Sequence, residues 1–74
     1  MLEIIKNFIN EINEMNDKAL LNNISEDMRL REDLGLDSMD LAILTAKIED
    51  KYNIDVFEDG IVKTVGEIVS KLEK

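Results

Sequence analysis

A chain of 74 residues, 45% of them hydrophobic, can hold one small core and leaves little room for a deep catalytic cleft. Seventeen acidic residues against nine basic ones set the formal charge at −8, which repels nucleic-acid phosphates and anionic membrane surfaces. With no Cys and no His, disulfides, thiolate metal sites, cysteine nucleophiles and the usual general base are excluded.

Leu2, Ile5, Phe8, Ile9 and Ile12 recur at helical spacing with Glu3, Lys6, Asn7, Asn10 and Glu11 between them, which predicts an amphipathic helix over residues 2–15. The acidic N-terminus does not read as a signal peptide, and no apolar run approaches the roughly 20 residues that span a bilayer. A cytoplasmic protein without membrane insertion is therefore expected. Asn13, Asn16, Asp17, Asn22 and Asn23 then favour caps and turns over helix interior. From residue 17 to 37 neither period is sustained, yet Leu20, Leu21, Ile24, Met28, Leu30, Leu34 and Leu36 are too many apolar side chains for a floppy linker. A long loop packed against the core is predicted, of the kind that often carries function.

Gly35 allows a bend, and Asp37 or Ser38 can cap a second helix running to about Tyr52. Leu41, Leu44, Ile48 and Tyr52 share its core stripe. On the other side Met39, Ala42 and Ile43 form a modest apolar patch rimmed by Asp40, Lys47, Glu49 and Asp50, where a partner can dock. Asn53 is the expected C-cap, and residues 57–62 suit one short helical turn interrupted at Gly60. Thr64 and Glu67 fit a capping box for a last helix with Val65, Ile68, Val69 and Leu72 on its apolar stripe, ending near Lys74. The predicted architecture is all-α, a bundle of three principal helices plus a short one, with a long loop between the first two and the whole of residues 1–74 in a single domain.

Asp55, Asp59, Gly60 and Glu67 superficially suggest a calcium loop, but counting from Asp55 puts Phe57 at the third position and Gly66 at the twelfth. No metal site is expected. Glu32, Asp33, Asp37 and Asp40 lie in a polar loop or at a helix start, where the ionised form is favoured, so they read as a solvated acidic face rather than an acid/base pair. Ser38 has no histidine to activate it, which excludes a self-sufficient serine hydrolase and leaves no catalytic residue of the chain's own.

The segment Leu34-Gly35-Leu36-Asp37-Ser38-Met39-Asp40 resembles the phosphopantetheine attachment site of the acyl carrier protein family. Asp-Ser-x-Asp alone is common at helix starts; the longer segment in a short acidic chain, with one helix before it and two after, is far more specific. The resemblance covers most of the chain. It implies that Ser38 accepts 4′-phosphopantetheine from coenzyme A through a separate magnesium-dependent phosphopantetheinyl transferase. The thiol that carries acyl groups as thioesters then belongs to the cofactor, which is how a chain without cysteine carries them.

The resemblance also implies that the second helix is the recognition helix. Asp37, Met39, Asp40, Ala42, Ile43, Glu49 and Asp50 are its candidate contacts for the transferase, for an acyl- or aminoacyl-loading enzyme and for biosynthetic enzymes with basic docking patches. The protein itself is expected to be a monomer. An apolar shelter for the acyl chain would draw on Leu41, Leu44, Ile48, Ile54, Ile61, Val65 and Ile68, although helical spacing assigns such residues to the core first. Where housekeeping fatty-acid carriers typically have a Val-Glu-Leu turn, this chain has Ala42-Ile43-Leu44, and Lys47 and Lys51 further reduce the helix's acidity. The resemblance implies a carrier in fatty-acid, polyketide or related lipid biosynthesis. The departure points away from ordinary fatty-acid synthase partners to a specialised stand-alone carrier of a dedicated pathway such as polyketide, peptide, lipid-modification or cell-envelope synthesis. Two alternatives stay open: an aminoacyl or peptidyl carrier, and an unmodified interaction module that docks through Met39 and Ile43.

Overall fold

The computed structural model describes residues 1–58, 60 and 62–73. Three helices follow one another, α1 (Leu2–Met15), α2 (Ser38–Tyr52) and α3 (Val65–Leu72), with no named strand among the described residues. The first two coincide with the predicted spans. On α1, Ile5, Ile9 and Ile12 fall on one stripe and are fully buried; Leu44 and Ile48 of α2 and Val65 and Ile68 of α3 meet them in the same core. The radius of gyration of 11.1 Å agrees with the value of about 11 Å that size scaling gives a compact domain of this length. None of the helices among the described residues is long and apolar enough to cross a membrane.

Residues 16–37 form the long connection and are packed down as the leucines predict. Leu30 and Leu36 are buried, while Leu21, Ile24, Met28 and Leu34 pack partly against the core. Leu20 departs from the expectation and is 54% exposed. Its neighbour Leu21 is the one fixed to α1: the Asn10 side-chain amide donates to the Leu21 carbonyl at 3.1 Å and accepts from the Leu21 N–H at 2.7 Å.

Further along, the Leu30 N–H donates to the Lys63 carbonyl at 2.8 Å and the Val65 N–H to the Met28 carbonyl at 3.0 Å, an antiparallel bridge between Arg29 and Thr64. The Gly66 N–H adds a bond to the Glu26 carbonyl at 2.8 Å. Glycine is required there because a Cβ would sit 2.9 Å from that carbonyl oxygen. The start of α3 is thus hydrogen-bonded to the loop that leads into α2.

Asn53 caps α2 in the left-handed region at φ 58°, as its position suggested. Beyond it Val56 and Val62 are buried. The Asp55 carboxylate accepts the Phe57 N–H at 3.0 Å, and the Glu58 and Gly60 N–H groups close turns onto Asp55 and Phe57. The short helix expected over 57–62 is represented among the described residues by these turns; Asp59 and Ile61 lie outside them. Thr64 caps α3 by accepting the Glu67 N–H at 3.2 Å, but the Glu67 carboxylate reaches the Lys63 N–H, one residue before the partner the capping box predicted. The last helix ends at Leu72, and Lys74 lies outside the described residues.

Candidate functional site

The first turn of α2 is held by a reciprocal capping box. Asp37 is the N-cap in extended conformation; its carboxylate accepts the Asp40 N–H at 2.8 Å, and the Asp40 carboxylate accepts the Asp37 N–H at 3.2 Å. Ser38 is therefore the first helical residue rather than the cap, and its hydroxyl is free to point outward. Asp40, expected on the docking surface, is instead only 4% exposed. Its second oxygen accepts the side-chain N–H of Asn16 at 2.9 Å, joining the end of α1 to the start of α2. Its charge is thus taken up inside the fold.

Ahead of the cap, Gly35 at φ +70° makes the bend the sequence predicted, and its carbonyl accepts from Lys18 Nζ at 3.1 Å. The turn before it is fixed at both ends. The Asp33 carboxylate accepts the Arg29 N–H at 2.7 Å, and the Gly35 and Leu36 N–H groups donate to the Arg31 and Leu30 carbonyls at 3.1 and 3.0 Å. The Arg29 backbone N–H, then its side chain, holds the Asp33 carboxyl below the usual carboxylate range. With buried Leu30 and Leu36 anchoring this turn, Arg31 reaches across it and donates from Nη2 to Ser38 Oγ at 2.9 Å.

Ser38 opens onto a groove of about 510 Å³ lined by Arg31, Leu41, Ala42, Thr45, Asp55 and Phe57. Its size falls within the roughly 300–1,000 Å³ range of small-molecule sites. Among the described residues the groove shares Leu41 with the shelter expected for an acyl chain. Leu44, Ile48, Val65 and Ile68 of that set are fully buried core, Ile54 is 37% exposed, and Ile61 lies outside the described residues.

Of the expected recognition residues, Asp37, Met39, Ala42, Glu49 and Asp50 are exposed, Met39 to 69%. Ala42 leads from the groove to a neighbouring hollow lined by Glu49, Asp50 and Asn53. Ile43, expected in the exposed patch, is instead half-buried against the core. Lys47 is engaged with Glu11 of α1 at 2.9 Å, so it serves the helix packing as well as the surface charge. Sequence marked Asn16 only as a turn former and Asp55 only as a rejected calcium ligand, and did not single out Arg31, whose only trace is a cation between Leu30 and Glu32 in an acidic loop.

The fold and site define a small three-helix bundle whose middle helix begins with an exposed serine beside a ligand-sized groove. The family described as a phosphopantetheine attachment site matches residues 3–72. An acyl carrier protein of Thermotoga maritima is 40% identical over 53 residues, covering 69% of this chain and 65% of that protein. One from Exiguobacterium sibiricum is 38% identical over 52 residues, 68% and 66% of the two chains. One from Wolinella succinogenes is 36% identical over 52 residues, 68% of each. No solved structure matches significantly. The chain belongs to the phosphopantetheine attachment family, whose prosthetic group is covalent 4′-phosphopantetheine. The residues at the start of α2 fit such a group, since they offer an exposed hydroxyl, a guanidinium on that hydroxyl and a groove of adequate volume.

Proposed function

We propose that this chain is an acyl carrier and that Ser38 is its attachment residue. The reading is carried by the Ser38 hydroxyl, exposed on the first turn of α2 at the mouth of the groove. In loading, Ser38 Oγ forms the new bond to a phosphorus of coenzyme A, the bond to adenosine bisphosphate breaks, and the hydroxyl proton passes to the transferase. The bound arm supplies a terminal thiol for acyl thioesters. The chain's own residues do the rest: the Asp37–Asp40 box fixes the serine's direction, and the exposed part of α2 presents Met39, Ala42, Glu49 and Asp50 to basic docking patches. Such contacts quicken association and weaken with salt, which suits partners that must bind and release.

Residues 1–74 act on this reading as one carrier domain, a non-catalytic substrate of a phosphopantetheinyl transferase. The partners are loading and biosynthetic enzymes of cytoplasmic lipid or polyketide synthesis. The unmodified-module alternative is less well supported, because half-buried Ile43 leaves Met39 and Ala42 as the exposed apolar surface near the start of α2. The test is intact-protein mass after incubation with coenzyme A, magnesium and a broad-specificity transferase. Wild type is expected to gain one phosphopantetheinyl group and Ser38→Ala none; a wild type that stays unloaded beside a loading control carrier overturns the assignment.

A further inference from the structure

Arg29 and Arg31 stand two residues apart in the same turn and are used differently. Arg29 Nε is 3.3 Å from Asp33 and 3.8 Å from Glu32, so both nearby carboxylates are spent on it. Arg31 has no ion-pair partner among the described residues, although the chain carries a net charge of −8. Its side-chain hydrogen bond among those residues goes to Ser38 Oγ, a neutral acceptor. A guanidinium has five N–H donors in a planar fork, and one contact to a hydroxyl leaves most of them for another acceptor. The carboxylates nearest in sequence to Ser38 do not compete for it, since those of Asp37 and Asp40 are directed into the capping box and onto Asn16.

We propose that Arg31 is a positioning residue that clamps the phosphodiester of the loaded arm and turns the arm toward the groove beside α2. The inference rests on the reading of Ser38 as the attachment residue. Once Oγ is esterified, a phosphodiester anion stands where Arg31 already donates. Two non-bridging oxygens match the guanidinium fork far better than one hydroxyl does. The turn that carries Arg31 is anchored by buried Leu30 and Leu36 and by its own backbone hydrogen bonds, so its backbone is already ordered before the arm is attached. Because Arg31 and Ser38 line the same groove, an arm held at its phosphate by Arg31 leaves Ser38 along Leu41, Ala42 and Phe57 rather than straight into water.

The test uses isotope-labelled wild type, R31K and R31Q. Intact mass first establishes loading with phosphopantetheine. In loaded wild type the Arg31 Nε–H resonance shifts from its unloaded position while that of Arg29 stays. The phosphorus resonance of loaded R31Q is narrower and displaced toward that of a free phosphodiester, with R31K between the two. Molar salt moves wild type toward R31Q. A fully loaded wild type whose Arg31 resonance does not shift, and whose phosphorus line superimposes on that of R31Q, overturns the clamp while leaving Ser38 in place. The Arg31 shift needs no variant, so poor loading of R31Q does not spare the proposal. A wild type that never loads brings down the Ser38 assignment and the clamp together.

Discussion

On its inner face α2 carries Leu41, Leu44 and Ile48, none more than 9% exposed, while its outer face begins with Ser38 and Met39 and continues through Ala42 to Glu49 and Asp50. One helix thus divides two tasks by direction. The inner residues meet α1 and the core, and a change there is felt throughout a small bundle. The outer residues touch little of the fold, so on the proposed reading changing them alters partner contact with little effect on stability. Asp40 is the exception, an acid at the start of the outer end whose carboxylate belongs to the interior.

The sharpest break of that division is Leu44→Ala. A fully buried leucine in a core this small is expected to cost about 2–5 kcal/mol, read as a lower urea midpoint, without changing which residue accepts the arm. Asp40→Ala should follow at about 1–3 kcal/mol, because it leaves the Asn16 amide and the Asp37 N–H without their acceptor. If it costs nothing measurable in the same titration, the box is not what holds the helix start. Ser38→Ala lies on the outer side and should stay within about 0.5 kcal/mol of wild type, since Asp37 rather than Ser38 is the cap. Its loading should nevertheless be abolished, which separates function from stability on adjacent residues.

The smallest effect concerns pH. The folded pKa of Asp33 lies below its unfolded value, so its contribution is present above the unfolded carboxylate pKa of about 3.9 and is lost as pH falls through the lower folded value. Urea midpoints measured from neutral to strongly acidic pH should fall less steeply for Asp33→Asn than for wild type at the acidic end. Identical slopes would show that the Arg29 contacts are idle.

Local patterns were enough for α1 and α2, because Ile5, Ile9 and Ile12 and then Leu41, Leu44 and Ile48 recur at helical spacing. Asn53 and Gly35 were legible too, since each stands where the backbone turns left-handed. The fate of Asp40 was not, because the amide that satisfies it lies on Asn16, 24 residues earlier in the chain. The partial burial of Ile43 was hidden for a related reason: spacing along α2 alone does not show how far the rest of the fold covers its flank. Arg31 escaped notice because its meaning depends on Arg29 taking Glu32 and Asp33, a choice made by the folded turn and not by the order of residues.

The paired bonds between the Asn10 side chain and the Leu21 backbone have a consequence for chain entropy. Closing a flexible loop costs more as the loop lengthens, growing as about (3/2)RT ln n. Fastening Leu21 to the middle of α1 divides the connection of residues 16–37 into two closures, and the second begins from a fixed point on the bundle. The segment that carries Arg31, Asp37 and Ser38 is therefore a shorter closure than the whole connection, with a side-chain amide serving Leu21 as a neighbouring strand serves a sheet residue.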